Sequence, residues 1–143
     1  MNNVNLRVAA KAVIAYKNKV LVVREGGKYE DGNNIGQYGL VGGRIEPDES
    51  FYDALDREIL EETGLKVKTT KPLQVGEWWP EIKGVKNHIV AVFMICEAKT
   101  DRVVLSDEHD DFKWVNLNEI QKLPVMEPDR SVAIEFLSSL PKT

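Results

Sequence analysis

Residues 42–65, GGRIEPDESFYDALDREILEETGL, decide the fold of this chain. Phe51, Leu55 and Ile59 recur at steps of four residues, which is the spacing of one face of a helix. Gly64 suits the left-handed residue that often follows the last turn of a helix. The stretch therefore predicts a glycine loop followed by an amphipathic helix that ends at Gly64.

Three glutamates, Glu58, Glu61 and Glu62, project from one face of this helix because they stand three and four residues apart. Like charges at this spacing destabilise a helix by about 0.2–0.5 kcal/mol per pair. Arg57 offsets part of that repulsion if it reaches Glu61 or the upstream Glu49. An ordinary acidic helix end is one explanation, but a shared divalent cation explains the cluster better, and carboxylate oxygens suit Mg²⁺.

The same stretch resembles the complete Nudix box. Gly43, five residues, Glu49 and seven residues precede the run REILEETGL of residues 57–65, so every fixed position of the box is matched. The resemblance implies a Mg²⁺-dependent hydrolase, with Mn²⁺ as an alternative, acting on a nucleoside diphosphate linked to another group. The family commonly has a proline before its two glycines, whereas this chain has Val41, a change that removes no ligand.

The resemblance also implies a role for each box residue. Arg57 orients the glutamates, and Glu49 pairs with Arg57. The positions that hold metal in the family correspond here to Gly43, through its carbonyl, Glu58, Glu61 and Glu62.

A second acidic cluster, residues 106–111, lies directly before the aromatic run 112–115. Many Nudix proteins have a similar acidic stretch with a histidine, and one of its acids completes the metal site or serves as general base. We assign this role to Glu108, with Asp110 and Asp111 as alternatives, and Glu61 as the other candidate base. A solvated turn would equally account for the cluster.

Four residues outside these acids are candidate substrate contacts. Arg24 follows a buried strand and is either a phosphate contact or a strand-end charge. Tyr29 belongs to a long polar loop, residues 26–36, and loops of this length are often functional. Trp78 and Trp79 face opposite ways if they lie on a strand, so we expect one in the core and the other exposed, where it can stack on a base.

The substrate class stays open at this point. Pro80 lies 15 residues beyond Leu65, and a proline at about that distance resembles a mark of ADP-ribose hydrolases, which slightly favours ADP-ribose or a nucleotide sugar. Nucleoside triphosphates, including oxidised ones, and dinucleoside polyphosphates are alternatives. A hypothesis of another class is a non-catalytic nucleotide-binding module.

Hydrophobic runs on both sides of the box predict strands, and Pro128 opens an amphipathic C-terminal helix. Together with the box helix and a short helix over 116–123, they predict an α/β fold, a Nudix-type α/β/α sandwich around a mixed sheet, as one domain over residues 1–143. The other predicted strands are 6–15, 19–24, 37–41, 66–70, 73–79, 88–97 and an edge strand, 102–105.

Composition excludes several classes of protein. The chain has 143 residues, 43% of them hydrophobic, but no apolar run long enough to cross a membrane. Residues 1–7 lack a signal peptide's apolar segment, and the single Cys96 forms no internal disulfide, so we expect a cytoplasmic protein.

The charge and the sheet edge bear on partners. A net charge of −4 argues against binding to a nucleic-acid polymer but permits one nucleotide held through a metal. The predicted strand edge near residues 1–8 makes a homodimer possible, although edge strands are commonly shielded within one chain.

Overall fold

The computed structural model describes residues 3–27 and 35–141. Its strands are β1 (Asn5–Tyr16), β2 (Lys19–Glu25), β3 (Tyr38–Gly39), β4 (Val41–Arg44), β5 (Val67–Trp78), β6 (Glu81–Ile82), β7 (Val85–Ala98) and β8 (His109–Val115). Its helices are α1 (Phe51–Thr63), α2 (Leu117–Ile120) and α3 (Asp129–Ser139). None of the described helices has the length and apolar character needed to cross a membrane.

The strands form a mixed sheet in the order β3-β2-β1-β7-β5, with β4 paired to β1, β8 to β2 and β6 to β7. β1 and β7 run parallel, whereas β1 pairs antiparallel with β2 and with β4. β1 therefore lies inside the sheet, with β4 on one side of it and β7 followed by β5 on the other.

Each face of the sheet buries its own apolar cluster, because successive strand residues point to opposite faces. Ala9 and Val13 of β1 join the cluster that α3 covers through Val132 and Phe136. Ala10, Ala12 and Ile14 of β1 join a second cluster, which α1 covers. The predicted α/β/α sandwich with a mixed sheet is confirmed.

Helix α1 has the boundaries that its sequence indicates. The Ser50 side chain caps its first turn by accepting a hydrogen bond from the Asp53 N–H at 3.2 Å. Gly64 follows the helix with a φ of 71° and donates its N–H to the Leu60 carbonyl. The left-handed conformation is one in which a side chain is disfavoured, so glycine is favoured there.

The predicted edge strand over 102–105 is wrong. The structure has no strand in this segment, and the Val104 N–H instead donates to the Thr63 carbonyl at the end of α1 at 2.9 Å. Val103 and Leu105 pack against the cluster under α1. Packing against the helix end thus replaces pairing with a strand.

The two strands predicted on either side of Pro72 are one strand, β5. Its pairing with β7 shifts register between Thr69 and Lys71 and again between Pro72 and Gln74. Proline is tolerated beside such bulges because it has no N–H to donate to the ladder. The predicted C-terminal helix is α3, preceded by Pro128, and the predicted helix 116–123 is the shorter α2, capped by Asn116.

Candidate active site

Two glycines allow α1 and the sheet to approach closely. A Cβ added at Gly43 would lie 2.7 Å from the Glu58 carboxyl group. Gly42 has a φ of 141°, and a Cβ there would lie 2.2 Å from the Ala10 carbonyl of β1. The glycine pair is therefore what brings a carboxylate of α1 onto the backbone of β4.

Arg57 joins three of the box acids. Its Nε lies 2.6 Å from Glu49, and its Nη1 lies 2.9 Å from Glu58 and 3.4 Å from Glu61. These contacts, above all the hydrogen bond to Glu49, raise the pKa of Arg57 and lower the pKa of the Glu49 carboxyl. The structure thus contains both contacts, to Glu49 and to Glu61, that the sequence offered for Arg57.

Burial raises the pKa of two other glutamates of the box, Glu62 and Glu58. Glu62 is only 6% exposed, and its Oε1 accepts a hydrogen bond from the Gly42 N–H at 3.1 Å. Burial and then the nearby charge of Glu58 raise the pKa of Glu62 to about 8. Burial also raises the pKa of Glu58, against the effect of Arg57. The side chain of Glu61, by contrast, is 60% exposed.

The donor chemistry of this cluster fits a hard divalent cation. Carboxylate and carbonyl oxygens are the ligands such ions prefer. A cation would also offset the free-energy cost of burying a charged Glu62 carboxylate. Within residues 3–27 and 35–141, however, no three His, Cys, Asp or Glu side chains are gathered closely enough to hold a metal ion. In the structure Glu58 accepts a hydrogen bond from Arg57, and Glu62 accepts one from the Gly42 N–H.

A cavity of about 180 Å³ adjoins the glutamates. Gly42, Gly43, Glu62 and Glu108 line it, and so do the following apolar residues from the other side of β1 and from the α3 face: Trp78, Pro80, Ile82, Ile89 and Met126. The cavity therefore joins an acidic wall to an apolar wall that suits a planar ring.

The acids of the second cluster separate in space. Glu108 lines the cavity, whereas Asp110 forms an ion pair with Arg24 at 2.7 Å and Asp111 accepts a hydrogen bond from the Tyr38 hydroxyl. The structure therefore brings Glu108, and neither of its two alternatives, to the wall that holds Glu62.

The candidate substrate contacts also separate. Trp78 lines the cavity and packs on the core, while Trp79 is 54% exposed and stacks on His88 with ring centres 4.6 Å apart. Arg24 is not among the described residues that line the cavity. Tyr29 lies outside the described residues, so its predicted substrate contact stays a prediction.

Sequence reasoning missed two charged residues of the site, Lys11 and Asp129. Lys11 Nζ lies 3.0 Å from Asp129 Oδ2, with the two side chains 11% and 1% exposed. Asp129 Oδ2 also accepts the Leu40 N–H at 2.8 Å. The available signal was the alternation of side-chain direction along β1, because Lys11 points to the same face of the sheet as the core residues Ala9 and Val13.

Comparisons with known proteins show which family and which solved structures this chain resembles. A family model described as "NUDIX domain" matches residues 5–136. The structure of a MutT protein from Methanosarcina mazei Go1 superposes with a TM-score of 0.76 at 26% identity, covering 95% of this chain and 96% of that one.

Two curated relatives are similar in sequence. A nucleoside triphosphatase NudI from Escherichia fergusonii is 33% identical over 90 residues, which cover 56% of this chain and 62% of that protein. An ADP-ribose pyrophosphatase from Methanocaldococcus jannaschii is 28% identical over 116 residues, covering 81% and 65%. The chain spans 32% to 66% of the length of the first five curated relatives that it matches.

Proposed function

Because this chain belongs to the Nudix hydrolase family, we propose that it hydrolyses the diphosphate linkage of a nucleoside diphosphate joined to another group, with Mg²⁺ as its metal. The observation that supports this most is the meeting of Glu62, Gly43 and Glu108 at one cavity. Glu58 lies against Gly43 at the same place.

The metal would be held by oxygen atoms of the acidic wall. Glu58, Glu61, Glu62 and the Gly43 carbonyl are the proposed ligands, with Glu108 as a further one, and Mn²⁺ is the alternative ion. When bound, the metal supplies positive charge to the diphosphate and acidifies water. Arg57, tied to Glu49, positions Glu58 and Glu61 for this role.

The remaining chemistry requires a base and a leaving group. Glu61 or Glu108 takes a proton from the attacking water; Glu61 is exposed and Glu108 lines the cavity. The oxygen of this water bonds to one phosphorus as the bridging P–O bond breaks. The products are a nucleoside monophosphate and a phosphorylated partner, or pyrophosphate when the substrate is a triphosphate.

Two observations favour different partner groups. Trp78 and Pro80 line the cavity, which supports the ADP-ribose or nucleotide-sugar class that Pro80 favours in the sequence, and one relative is an ADP-ribose pyrophosphatase. Another relative is a nucleoside triphosphatase, which supports nucleoside triphosphates as the second candidate. Dinucleoside polyphosphates remain the third.

Further expectations accompany the proposal. We place the whole activity in a single domain over residues 1–143, in the cytoplasm, with a homodimer as a possible assembly. The competing hypothesis is a nucleotide-binding module that retains the box without turnover. Against it, a silent site gains nothing from placing Glu58, Glu61 and Glu62 close enough to repel one another.

The test is hydrolysis across a panel, with and without Mg²⁺: ADP-ribose, nucleotide sugars, diadenosine polyphosphates, and normal and oxidised nucleoside triphosphates. Wild type should cleave one class of substrate, and only when Mg²⁺ is present. Glu61→Gln should lower turnover by about 100-fold or more with an unchanged melting temperature. Asp56→Asn, an exposed acid on the same helix, is the matched control and should retain activity.

Either of two results would overturn this proposal. Mg²⁺ and nucleotide binding without any cleavage would support the binding module instead. Unfolding of Glu61→Gln at a temperature where Asp56→Asn is folded would make the box acids structural.

A further inference from the structure

Lys11 places an ammonium group on the wall of the cavity between its acidic and apolar parts. Lys11 pairs in register with Gly42 of β4 on one side and Phe93 of β7 on the other. The side chain extends along the α3 face, where its Nζ lies 3.0 Å from Asp129 and 6.0 Å from the centre of the Trp78 ring. Its charged end therefore lies beside the apolar wall.

The partner of Lys11 is held behind it. Asp129 is 1% exposed, is fixed by the Leu40 N–H, and is not among the residues that line the cavity. Its carboxylate balances the lysine charge, so Lys11 offers N–H groups to a ligand more than an unpaired positive charge. A paired ammonium of this kind acts mainly as a hydrogen-bond donor.

The walls around Lys11 suit a ring. Trp78, Ile89 and Met126 are apolar or aromatic, and an ammonium can only donate hydrogen bonds. A base with a carbonyl oxygen next to Nζ would accept such a bond, as guanine does from lysine in DNA recognition. An amino group in the same place would set donor against donor and leave a buried N–H group unpaired.

We propose that Lys11, held by Asp129, makes this site prefer a nucleobase that carries a carbonyl oxygen over the matched base that carries an amino group. The inference rests on the proposed function and adds the identity of the base to it. The charge of Lys11 also acts on Glu62, so the contribution of the base is isolated by comparing two bases in the same phosphate form. A preference for a carbonyl oxygen disfavours adenine, and with it ADP-ribose, among the candidate substrates.

Two pairs of nucleotides isolate this difference. Hypoxanthine differs from adenine by a carbonyl in place of the amino group at C6, and uracil differs from cytosine in the same way at C4. Wild-type kcat/KM should favour the carbonyl member of at least one pair by about tenfold or more, in whichever phosphate form the panel identifies.

The variants test whether Lys11 is the cause. Lys11→Met combined with Asp129→Asn removes both charges together, so that neither is left buried and unpaired. This double variant should reduce the preference to within about threefold, and Lys68→Met, an exposed lysine on β5, should leave it unchanged. An equal loss for both members of a pair would assign Lys11 to the phosphate or ribose and overturn the proposal.

A binding measurement keeps the two proposals distinguishable. Calorimetry with the monophosphates of inosine, adenosine, uridine and cytidine needs no turnover. A carbonyl preference in binding that disappears in the double variant, without hydrolysis of any panel member, would support the base inference while the hydrolase proposal fails. Hydrolysis with equal binding and equal kcat/KM within both pairs would do the reverse.

Discussion

The acidic wall and the Lys11–Asp129 pair lie at one cavity, which Glu62 and Lys11 line and Asp129 does not, but they balance charge in opposite ways. In the acidic wall Arg57 contacts Glu58 and Glu61, and burial raises the pKa of Glu62 to about 8. Lys11 and Asp129 instead form a closed pair 3.0 Å apart. In our proposal a metal ion balances the charge of the acidic wall, whereas Asp129 balances the charge of Lys11 within the folded chain.

Breaking the closed pair should have the largest effect on stability. Lys11→Met leaves the Asp129 carboxylate buried with the Leu40 N–H but without its cation, which should lower the free energy of unfolding by about 3 kcal/mol. Denaturant unfolding at neutral pH measures this. Asp129→Asn added to Lys11→Met should restore most of the loss, and no recovery would contradict the pairing.

Removing the charge of Glu62 should not destabilise the protein, in contrast to breaking the Lys11–Asp129 pair. Glu62→Gln should lower turnover by about 100-fold, because it removes a proposed ligand, yet it should leave the metal-free protein at least as stable as wild type. The reason is that the folded-state pKa of Glu62, about 8, lies above its ordinary value of 4.5.

The pH dependence follows from that shift. A raised pKa means that the proton on Glu62 stabilises the fold at low pH, and this contribution is lost as the pH rises through about 8. Melting of the metal-free proteins from about pH 5 to about pH 9 should therefore show wild type falling relative to Glu62→Gln. Parallel curves would contradict the burial of this carboxyl group, and Asp56→Asn serves as the control.

The exposed ion pair of Arg24 and Asp110 contrasts with the buried pair of Lys11 and Asp129. Arg24 and Asp110 lie 2.7 Å apart but are 37% and 51% exposed, so Arg24→Met should leave the midpoint of denaturant unfolding nearly unchanged. Arg24 was also a candidate phosphate contact in the sequence. A fall in kcat/KM greater than about tenfold, with stability unchanged, would restore that role.

The acidic wall could be predicted from sequence because its determinants are local. Glu58, Glu61 and Glu62 follow helical spacing within one turn, and Ser50 and Gly64 mark the ends of that helix. The sequence favoured Glu108 but left Asp110 as an alternative, and the two separate only in the structure, where the pairing of β2 with β8 gives Asp110 a partner in Arg24. Strand pairing of this kind cannot be predicted from the spacing of residues along the chain.

The closed pair could not be predicted for the same reason. Lys11 and Asp129 lie far apart in the chain and meet only because the fold packs the start of α3 against the sheet, where Asp129 also accepts the Leu40 N–H. The segment 102–105 was misread because Val103 and Leu105 have strand-like composition, and only their contact with the end of α1 shows what they pack against. Both depend on tertiary contacts that composition does not encode.

The alternation of β1 also has an evolutionary consequence. Ala10 and Ala12 support the layer that carries the Nudix helix, whereas Lys11 between them faces the cavity. A codon change at position 11, matched by one at position 129 so that neither charge is left buried alone, therefore alters the proposed recognition surface without altering any residue of the hydrolytic box. After gene duplication, one copy that carries both changes would acquire a new base preference while it inherits the box unchanged.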